Sequence, residues 1–255
     1  MKRYFCFLLA PFLLGCAPHT TIPLEKMEFR AGDKPAKHLV VLLSGRGAKA
    51  SYFKDNKWVE LARAQGVQAD FIAPHAHFGY YLKNELVPRL NQDVILPAKQ
   101  QGYETISLVG ISMGGLGSVS YSERFPEDIE QLYLIAPYLG DREIQDEIRS
   151  EGGLANWQIK KENEGDWKHN IWRYLKQMTE DGKTRKKIFL GFGDKDHLAG
   201  HNLLAENIPA EHVIKIPGGH KDVVFTRVWE IMLEKGFLDM DKKVAVNSRL
   251  GVVHQ

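Results

Sequence analysis

The stretch Thr105-Ile-Ser-Leu-Val-Gly-Ile-Ser-Met-Gly-Gly115 decides how this chain is expected to fold. Its first part, Thr105–Ile111, is a nearly continuous apolar run, which is typical of a strand covered on both faces. The run leads straight into Ser112, with Gly110 before it and Gly114 after it. A sharp turn from strand to helix needs small residues on both sides of the serine, because larger side chains would clash there. The stretch therefore predicts a strand, a tight turn that exposes the Ser112 hydroxyl, and a helix.

Similar apolar runs alternate with helical patterns along the rest of the chain. The predicted strands are His38–Ser44, Val67–Ala73, Thr105–Ile111, Gln131–Ala136, Lys187–Phe192 and His212–Ile216. The predicted helices lie at roughly 51–65, 84–101, 113–125, 165–179, 201–207 and 221–235, and Pro97 is expected to kink or end the second of them. Alternation of this kind predicts a parallel α/β sheet.

The chain has the size and composition of one domain. Its 255 residues, 44% of them hydrophobic, suit a single core, which is expected to span residues 36–238. The longest gap between predicted strands, from Tyr138 to Lys186, is longer than one crossover helix needs, so a small helical insertion is expected at about 141–180. The polar residues 239–255 are expected to form a C-terminal tail.

The first residues have the pattern of an export signal. Lys2 and Arg3 precede a short apolar run that ends at Gly15 and Cys16. The run is too short to span a bilayer, so residues 1–15 are interpreted as a signal peptide. Residues 16–35 are then expected to form a tether that leads into a first strand.

The end of this segment also resembles a known processing site. Leu13-Leu14-Gly15-Cys16 resembles the lipobox of bacterial lipoproteins, which implies cleavage before Cys16 and acylation of that residue. Ala17 follows rather than Asp, and the resemblance to enterobacterial lipoproteins then implies an outer-membrane protein that faces the periplasm. Several acyl chains, at about 0.8 kcal/mol per buried CH₂, would hold the chain to a bilayer.

Charge and cysteine content exclude several kinds of partner. The formal net charge is +2, and removal of residues 1–15 with Lys2 and Arg3 leaves 32 basic against 32 acidic residues. A neutral surface gives no reason to expect nucleic acid as a partner. Cys6 leaves with the signal peptide and Cys16 carries the lipid, so no thiol remains for a disulfide, a metal or catalysis.

Gly110-Ile-Ser112-Met-Gly114 matches the pattern G-x-S-x-G. With its strand and helix context, the chain resembles the α/β-hydrolase superfamily from about residue 36 to residue 236. Phe125-Pro126 after the helix, and Gly218-Gly219-His220 before a helix with Trp229, resemble the esterase-D-like branch. The resemblance implies an α/β-hydrolase fold, a parallel-rich sheet with helices on both faces, and a serine hydrolase that cleaves a carboxylic ester without a cofactor.

A serine nucleophile needs a base, because its free hydroxyl is a poor nucleophile at neutral pH. The chain has ten histidines, so histidine by itself carries little information. His220 follows the last predicted strand and a Pro-Gly-Gly turn, from which a loop would carry it to the carboxyl edge of the sheet. It also matches the position of the histidine in the family, and it is therefore the candidate base.

The acid of the family lies between nucleophile and histidine, after a strand. Gly193, Asp196 and Leu198 fit the family pattern G-x-x-D followed by an apolar residue, which favours Asp196. Gly191 with Asp194 is a second register. Aspartates in turns are commonly structural, so one of the two is expected to have no catalytic role.

Two backbone N–H groups are expected to bind the oxyanion that forms during ester cleavage. One is the N–H of Met113, at the start of the helix after the nucleophile. The resemblance implies that the other is the N–H of Arg46, in the loop after His38–Ser44. The Arg46 side chain has two open interpretations, contact with an anionic substrate or simple solvation.

Other functions are compatible with parts of the sequence. His75-x-His77 suggests a metal site, but no third ligand accompanies it, so no metal is expected. The fold could serve a lipoprotein as a non-catalytic binding or assembly module, although such a module would not need the complete set of candidate groups. A lysophospholipase or thioesterase is a further alternative.

Overall fold

A computed structural model describes residues 19–158 and 165–239 of the chain. The predicted signal peptide, Cys16 and almost all of the predicted tail lie outside these residues. The described chain forms one seven-stranded sheet. Its strands are β1 (Lys26–Phe29), β2 (His38–Leu43), β3 (Ala69–Pro74), β4 (Thr105–Ile111), β5 (Gln131–Ile135), β6 (Ile188–Gly193) and β7 (Val213–Ile216).

The sheet order is β1-β3-β2-β4-β5-β6-β7. All neighbouring strands are parallel except β1, which pairs antiparallel with β3 at one edge. The six predicted strands are all present, with ends that differ by two residues at most. β1 lies within residues 16–35, which were assigned to a tether that leads into a first strand. Its pairing with β3 makes it part of the sheet, so the domain begins before residue 36.

The helices are α1 (Tyr52–Asp55), α2 (Trp58–Ala64), α3 (Phe78–Leu82), α4 (Leu86–Leu90), α5 (Leu96–Gln100), α6 (Met113–Arg124), α7 (Arg142–Ser150), α8 (Trp167–Glu180), α9 (Gly200–Ala205) and α10 (Asp222–Glu234). They form two layers, one on each face of the sheet. In one layer α6 packs against α4 and α8, and in the other α2 packs against α10. The Trp58 and Trp229 rings stack with centroids 5.0 Å apart in the second layer.

Two predicted helices are interrupted. The segment 51–65 divides into α1 and α2 at Lys57, which has a left-handed backbone with φ of 59°. The segment 84–101 contains a π-helical turn, Asn91–Ile95, between α4 and α5. Pro97 was expected to kink or end this helix, but the chain continues to Gln100. Pro97 lies in the first turn of α5, directly after the π turn, where a missing N–H is best tolerated.

The segment between β5 and β6 contains two helices, α7 and α8. The Trp172 ring of α8 is fully buried and donates from Nε1 to the Leu139 carbonyl at 2.7 Å. Trp157 is also buried and donates to Glu147 Oε1 at 3.0 Å. These tryptophans pack the segment onto the domain, as expected from the general role of large aromatic side chains. Within the described residues, no helix is both long and apolar enough to cross a membrane.

Strands β2 to β7 all run in the same direction, so the loops that follow them meet at one edge of the sheet. In open α/β sheets, this carboxyl edge is where ligands bind. The predicted site residues follow β2, β4, β6 and β7, and the fold therefore brings them to the same edge.

Candidate active site

The turn after β4 is shaped by the close approach of backbone atoms. Ser112 directly precedes α6 and has φ of 51° and ψ of −114°, a conformation that costs a non-glycine residue free energy. A Cβ atom on Gly114 would lie 2.0 Å from the carbonyl oxygen of Leu43, and one on Gly110 would lie 2.4 Å from that of Gly114. The glycines are therefore needed for this turn, as the sequence predicted.

Neighbouring strands hold the strained serine in place. The Ser112 N–H donates to the Ile135 carbonyl at the end of β5 at 3.0 Å, and the Ser112 carbonyl accepts from the Tyr138 N–H at 2.8 Å. Both backbone groups of Ser112 are thus fixed by the β5 end and the chain after it. The side chain is left to face the loops at the carboxyl edge.

Ser112, His220 and Asp196 form a continuous chain of hydrogen bonds. His220 Nε2 lies 2.9 Å from Ser112 Oγ. On the other side of the ring, Nδ1 lies 2.8 Å from Asp196 Oδ2. The three residues come from loops after β4, β6 and β7, and the structure brings them together as the sequence analysis expected.

Asp196 is held in a dry environment. Its side chain is 0% exposed, and its other carboxylate oxygen accepts from the Leu198 N–H at 2.9 Å. Burial opposes ionisation of this carboxyl, but the hydrogen bonds from His220 and Leu198 outweigh it, so the pKa of Asp196 lies below its ordinary value. The carboxylate is therefore charged at neutral pH and fully engaged.

Asp194, the alternative acid, has a different contact. Its Oδ1 accepts from the Gly218 N–H at 2.9 Å, in the loop that precedes His220. The Lys195 N–H also donates to the Gly218 carbonyl at 2.8 Å, and a Cβ atom on Gly193 would lie 2.3 Å from that carbonyl oxygen. Asp194 therefore joins the two loops that carry the acid and the histidine, and it does not contact the imidazole of His220.

The two expected oxyanion donors flank Ser112. Met113 is the first residue of α6, where helical N–H groups have no intrahelical acceptor. Arg46 follows Gly45, at which an added Cβ atom would lie 3.4 Å from Ser112 Cβ. Neither N–H donates to another group within residues 19–158 and 165–239. Both are therefore available to a bound oxyanion.

Aromatic side chains lie on the segments that contact Ser112, Met113 and Arg46. The Arg46 guanidinium lies 4.5 Å from the centre of the Phe78 ring, and the hydroxyl of Tyr81 donates to the Met113 carbonyl at 3.0 Å. The Tyr138 N–H donates to the Ser112 carbonyl, and the centre of the Tyr138 ring lies 6.3 Å from that of Trp167. Trp167 is 38% exposed. The segments that contact Ser112 and Arg46 thus carry several aromatic side chains.

The structure adds His201, which the sequence analysis did not select. Its ring lies 4.0 Å from that of Phe192 and is almost fully buried, and no group in the described part of the chain hydrogen-bonds its Nδ1. Burial lowers the pKa of His201 to about 4, although the nearby charge of Asp196 acts in the opposite direction. No local pattern distinguishes it, since it lies in a six-residue helix with only apolar neighbours to mark the buried face.

One group of residues has the geometry to hold a metal ion. Asp196, His197 and His220 each offer a ligand atom within 4.8 Å of the others. His220 is already bonded to both Asp196 and Ser112, so a metal there would break the chain described above. In the His-x-His pattern, His77 instead caps α3 by accepting from the Gly79 N–H, and His75 lies near Glu25.

Comparison with known proteins identifies the family. The Esterase family model matches residues 14–219, which include Ser112 and Asp196 and end one residue before His220. This chain belongs to the Esterase family. Together with the serine at the turn, the family assignment makes the protein a serine ester hydrolase. No curated protein matches the sequence.

Solved structures show the same fold. S-formylglutathione hydrolase from Staphylococcus aureus is 16% identical with a TM-score of 0.54, and the alignment covers 79% of this chain and 81% of that one. A ferulic acid esterase is 15% identical, with a TM-score of 0.53 and coverage of 80% and 84%. The fluorophosphonate-binding serine hydrolase F of S. aureus is 14% identical, with a TM-score of 0.52 and coverage of 85% and 94%. The fold is therefore that of the α/β hydrolases, as predicted.

Proposed function

We propose that Ser112, His220 and Asp196 form a catalytic triad that cleaves a carboxylic ester through an acyl-enzyme. The observation that carries the proposal is the continuous chain of hydrogen bonds, 2.9 Å from Ser112 to His220 and 2.8 Å from His220 to Asp196. A nucleophile bonded to a base that is itself oriented by a third group is the arrangement needed to activate a serine. A non-catalytic module would need none of these contacts.

The reaction follows from this geometry. Ser112 Oγ attacks the ester carbonyl as His220 Nε2 takes the hydroxyl proton, and Asp196 stabilises the charged imidazolium through Nδ1. The N–H groups of Arg46 and Met113 donate to the oxyanion of the tetrahedral intermediate. His220 then gives its proton to the departing alcohol. Water attacks the acyl-enzyme by the same route, which frees the acid and restores Ser112.

Labelling with a fluorophosphonate tests the nucleophile. The probe should modify Ser112, and Ser112→Ala should lose both the label and the hydrolysis of a chromogenic ester. Ser150, an exposed serine at the end of α7, provides the matched control, because Ser150→Ala leaves the turn after β4 untouched. Robust ester hydrolysis by a folded Ser112→Ala protein would refute the mechanism.

The substrate is proposed to be an ester with an apolar or aromatic group next to the carbonyl. Support for this class comes from the Phe78 ring next to Arg46 and from the Tyr138 and Trp167 rings, which lie near each other on the segment whose backbone bonds Ser112. Similarity to a ferulic acid esterase supports an aryl-type acyl group, and similarity to S-formylglutathione hydrolase keeps a thioester as a second candidate. Comparison of kcat/KM for an aryl ester, a matched alkyl ester and the corresponding thioester separates these classes.

We also propose that Cys16 carries a lipid that anchors the protein to the periplasmic face of the outer membrane. The support is the sequence Leu13-Leu14-Gly15-Cys16 followed by Ala17. Cys16→Ser should prevent processing and the incorporation of labelled fatty acid. Equal incorporation in the wild type and the variant would refute the anchor, whereas fractionation with the inner membrane would refute only the sorting.

A further inference from the structure

The first described residues, His19–Glu25, lie along α3 rather than away from the domain. The Tyr80 hydroxyl donates to the Thr21 carbonyl at 3.0 Å and accepts from the Thr21 N–H at 2.9 Å. Lys83 Nζ donates to Thr20 Oγ1 at 3.0 Å. The Leu24 N–H donates to Asp93 at 2.8 Å, and the Leu24 side chain is buried. This N-terminal segment is therefore fixed to the fold from Thr20 onward.

The helix to which it is fixed borders the active site. Tyr81 of α3 donates to the carbonyl of Met113, the residue after the nucleophile, at 3.0 Å. Phe78 of α3 lies under the guanidinium of Arg46, whose N–H is the second proposed oxyanion donor. The N-terminal segment thus enters the domain at the carboxyl edge of the sheet, beside the catalytic cleft.

Apolar side chains are exposed where the N-terminal segment contacts α3. Ile22 is 75% exposed and Leu82 is 56% exposed, although both belong to segments that are otherwise fixed by hydrogen bonds. Each lies within two residues of the Thr21–Tyr80 contact. Lys83, also exposed, adds a positive charge next to Leu82. Exposed apolar side chains with a neighbouring lysine are compatible with contact at a bilayer interface.

The position of Cys16 indicates what covers this surface. Cys16 precedes His19 by three residues, and a fully extended chain spans at most about 3.6 Å per residue, or about 11 Å in all. We infer that residues 20–23 and 82–83, here called the entrance surface, rest on the lipid bilayer, so that the catalytic cleft opens at the membrane and takes amphiphilic esters from it. This inference rests on the lipid anchor of the proposed function.

The anchor and the entrance surface have different tasks. The acyl chains supply most of the affinity, whereas burial of a single side chain such as Ile or Leu adds far less. The link between Cys16 and the fixed segment is short, so the entrance surface is always held near lipid. Even a small gain from burying its side chains is then enough to orient the domain on the bilayer. A tether of several tens of residues would not have this effect.

A single thiol can report this orientation. Cys6 leaves with the signal peptide and Cys16 is acylated, so Leu82→Cys introduces the one free thiol of the processed protein. The matched control is Gln68→Cys, an exposed site just before β3, whose opposite end leads to α3. The six residues of β3 separate the two sites by about 20 Å at ~3.3 Å per residue.

Each full-length lipoprotein is labelled with a polarity-sensitive fluorophore and reconstituted into vesicles of phosphatidylethanolamine and phosphatidylglycerol at 3:1. Nitroxide-labelled lipid should quench the probe at position 82 at least threefold more than the probe at position 68. Equal quenching on vesicles that carry the protein overturns the inference and leaves the triad and the anchor intact. Failure to float with vesicles, with no acyl mass on Cys16, overturns both the anchor and this inference.

Activity provides a second readout. Leu82→Glu should lower the ratio of kcat/KM for a long-chain ester presented in vesicles to kcat/KM for a short soluble ester by about tenfold. Any loss common to both substrates cancels in the ratio, so a general defect of the triad is distinguishable. An unchanged ratio in a folded, acylated Leu82→Glu protein counts against a substrate drawn from the membrane.

Discussion

The turns after β4 and β6 both deliver one member of the proposed triad, but they are determined in different ways. In the turn after β4, the position of Ser112 depends on its neighbours along the chain, because Gly110 and Gly114 lie too close to backbone atoms to carry a side chain. In the turn after β6, Asp194 and Asp196 lie two residues apart in one loop, directly after Gly193. Their roles differ because of contacts with a loop 24 residues further on.

This difference explains what sequence can decide. The turn after β4 needs small side chains at fixed positions within a few consecutive residues. It was therefore predicted from the sequence. The choice between two aspartates depends on which carboxylate faces His220 and which faces the Gly218 N–H. That choice is made by the packing of two loops, and before the structure Asp196 was favoured by the resemblance to a family.

The largest expected effect separates the two aspartates. Asp196→Asn should lower kcat by about 10⁴-fold, as the same change does in a serine protease, because an amide does not stabilise the charged imidazolium. Asp194→Asn should lower kcat less than tenfold, since the amide oxygen can still accept from the Gly218 N–H. The measurement is kcat for both purified variants on a chromogenic ester.

Circular dichroism and the urea midpoint provide the control for folding of both variants. If Asp194→Asn is the impaired protein, the assignment is wrong by two residues. If neither variant is impaired, the acid is another residue and the hydrogen bond from His220 to Asp196 has only a structural role.

Regions outside the site show the same contrast between structure that depends on neighbouring residues and structure that depends on residues far along the chain. The apolar runs predicted β2 to β7 closely, because burial on both faces leaves a continuous signal in each run. The split of segment 51–65 at Lys57 was missed, since an amphipathic pattern does not reveal a left-handed residue. The course of His19–Glu25 was also missed, because its hydrogen bonds are to Tyr80, Lys83 and Asp93, far along the chain.

The second prediction tests the local cause of the turn after β4. Gly114→Ala should remove activity and lower the free energy of unfolding by about 3 kcal/mol or more, because its Cβ would lie 2.0 Å from the Leu43 carbonyl oxygen in the middle of the sheet. Gly32→Ala is the matched control, since nothing lies within 4 Å of its Cβ position. Urea unfolding and ester hydrolysis are measured on both variants.

Gly32→Ala should change the free energy of unfolding by no more than about 0.5 kcal/mol, as is usual for exposed positions. An active Gly114→Ala protein with wild-type stability would show that β2 can move away from the turn. The geometry of Ser112 would then be less dependent on its glycines than the close backbone contacts indicate.

The pKa of His201 is set by its burial in the folded protein and not by its neighbours along the chain. Its effect should appear in the pH dependence of the free energy of unfolding. The unfolded chain binds a proton at His201 near pH 6.5, whereas burial delays protonation in the folded protein to about pH 4. Between these values the unfolded state binds more protons, so stability falls as the pH is lowered through this window. Asp196 acts separately, because its pKa is lowered from 3.8 and its contribution is lost only at still lower pH.

The third prediction uses this separation of pH windows. From pH 8 to pH 5, His201→Gln should lose less unfolding free energy than the wild type, by on the order of 2 kcal/mol. His197→Gln is the matched control, because the His197 side chain is 72% exposed and its removal empties no buried site. Urea unfolding of the three proteins at pH 8, 6.5 and 5 gives the comparison. Parallel losses in all three would mean that His201 finds a polar partner on protonation, and that the loop after β6 adapts more readily than the rigid turn after β4.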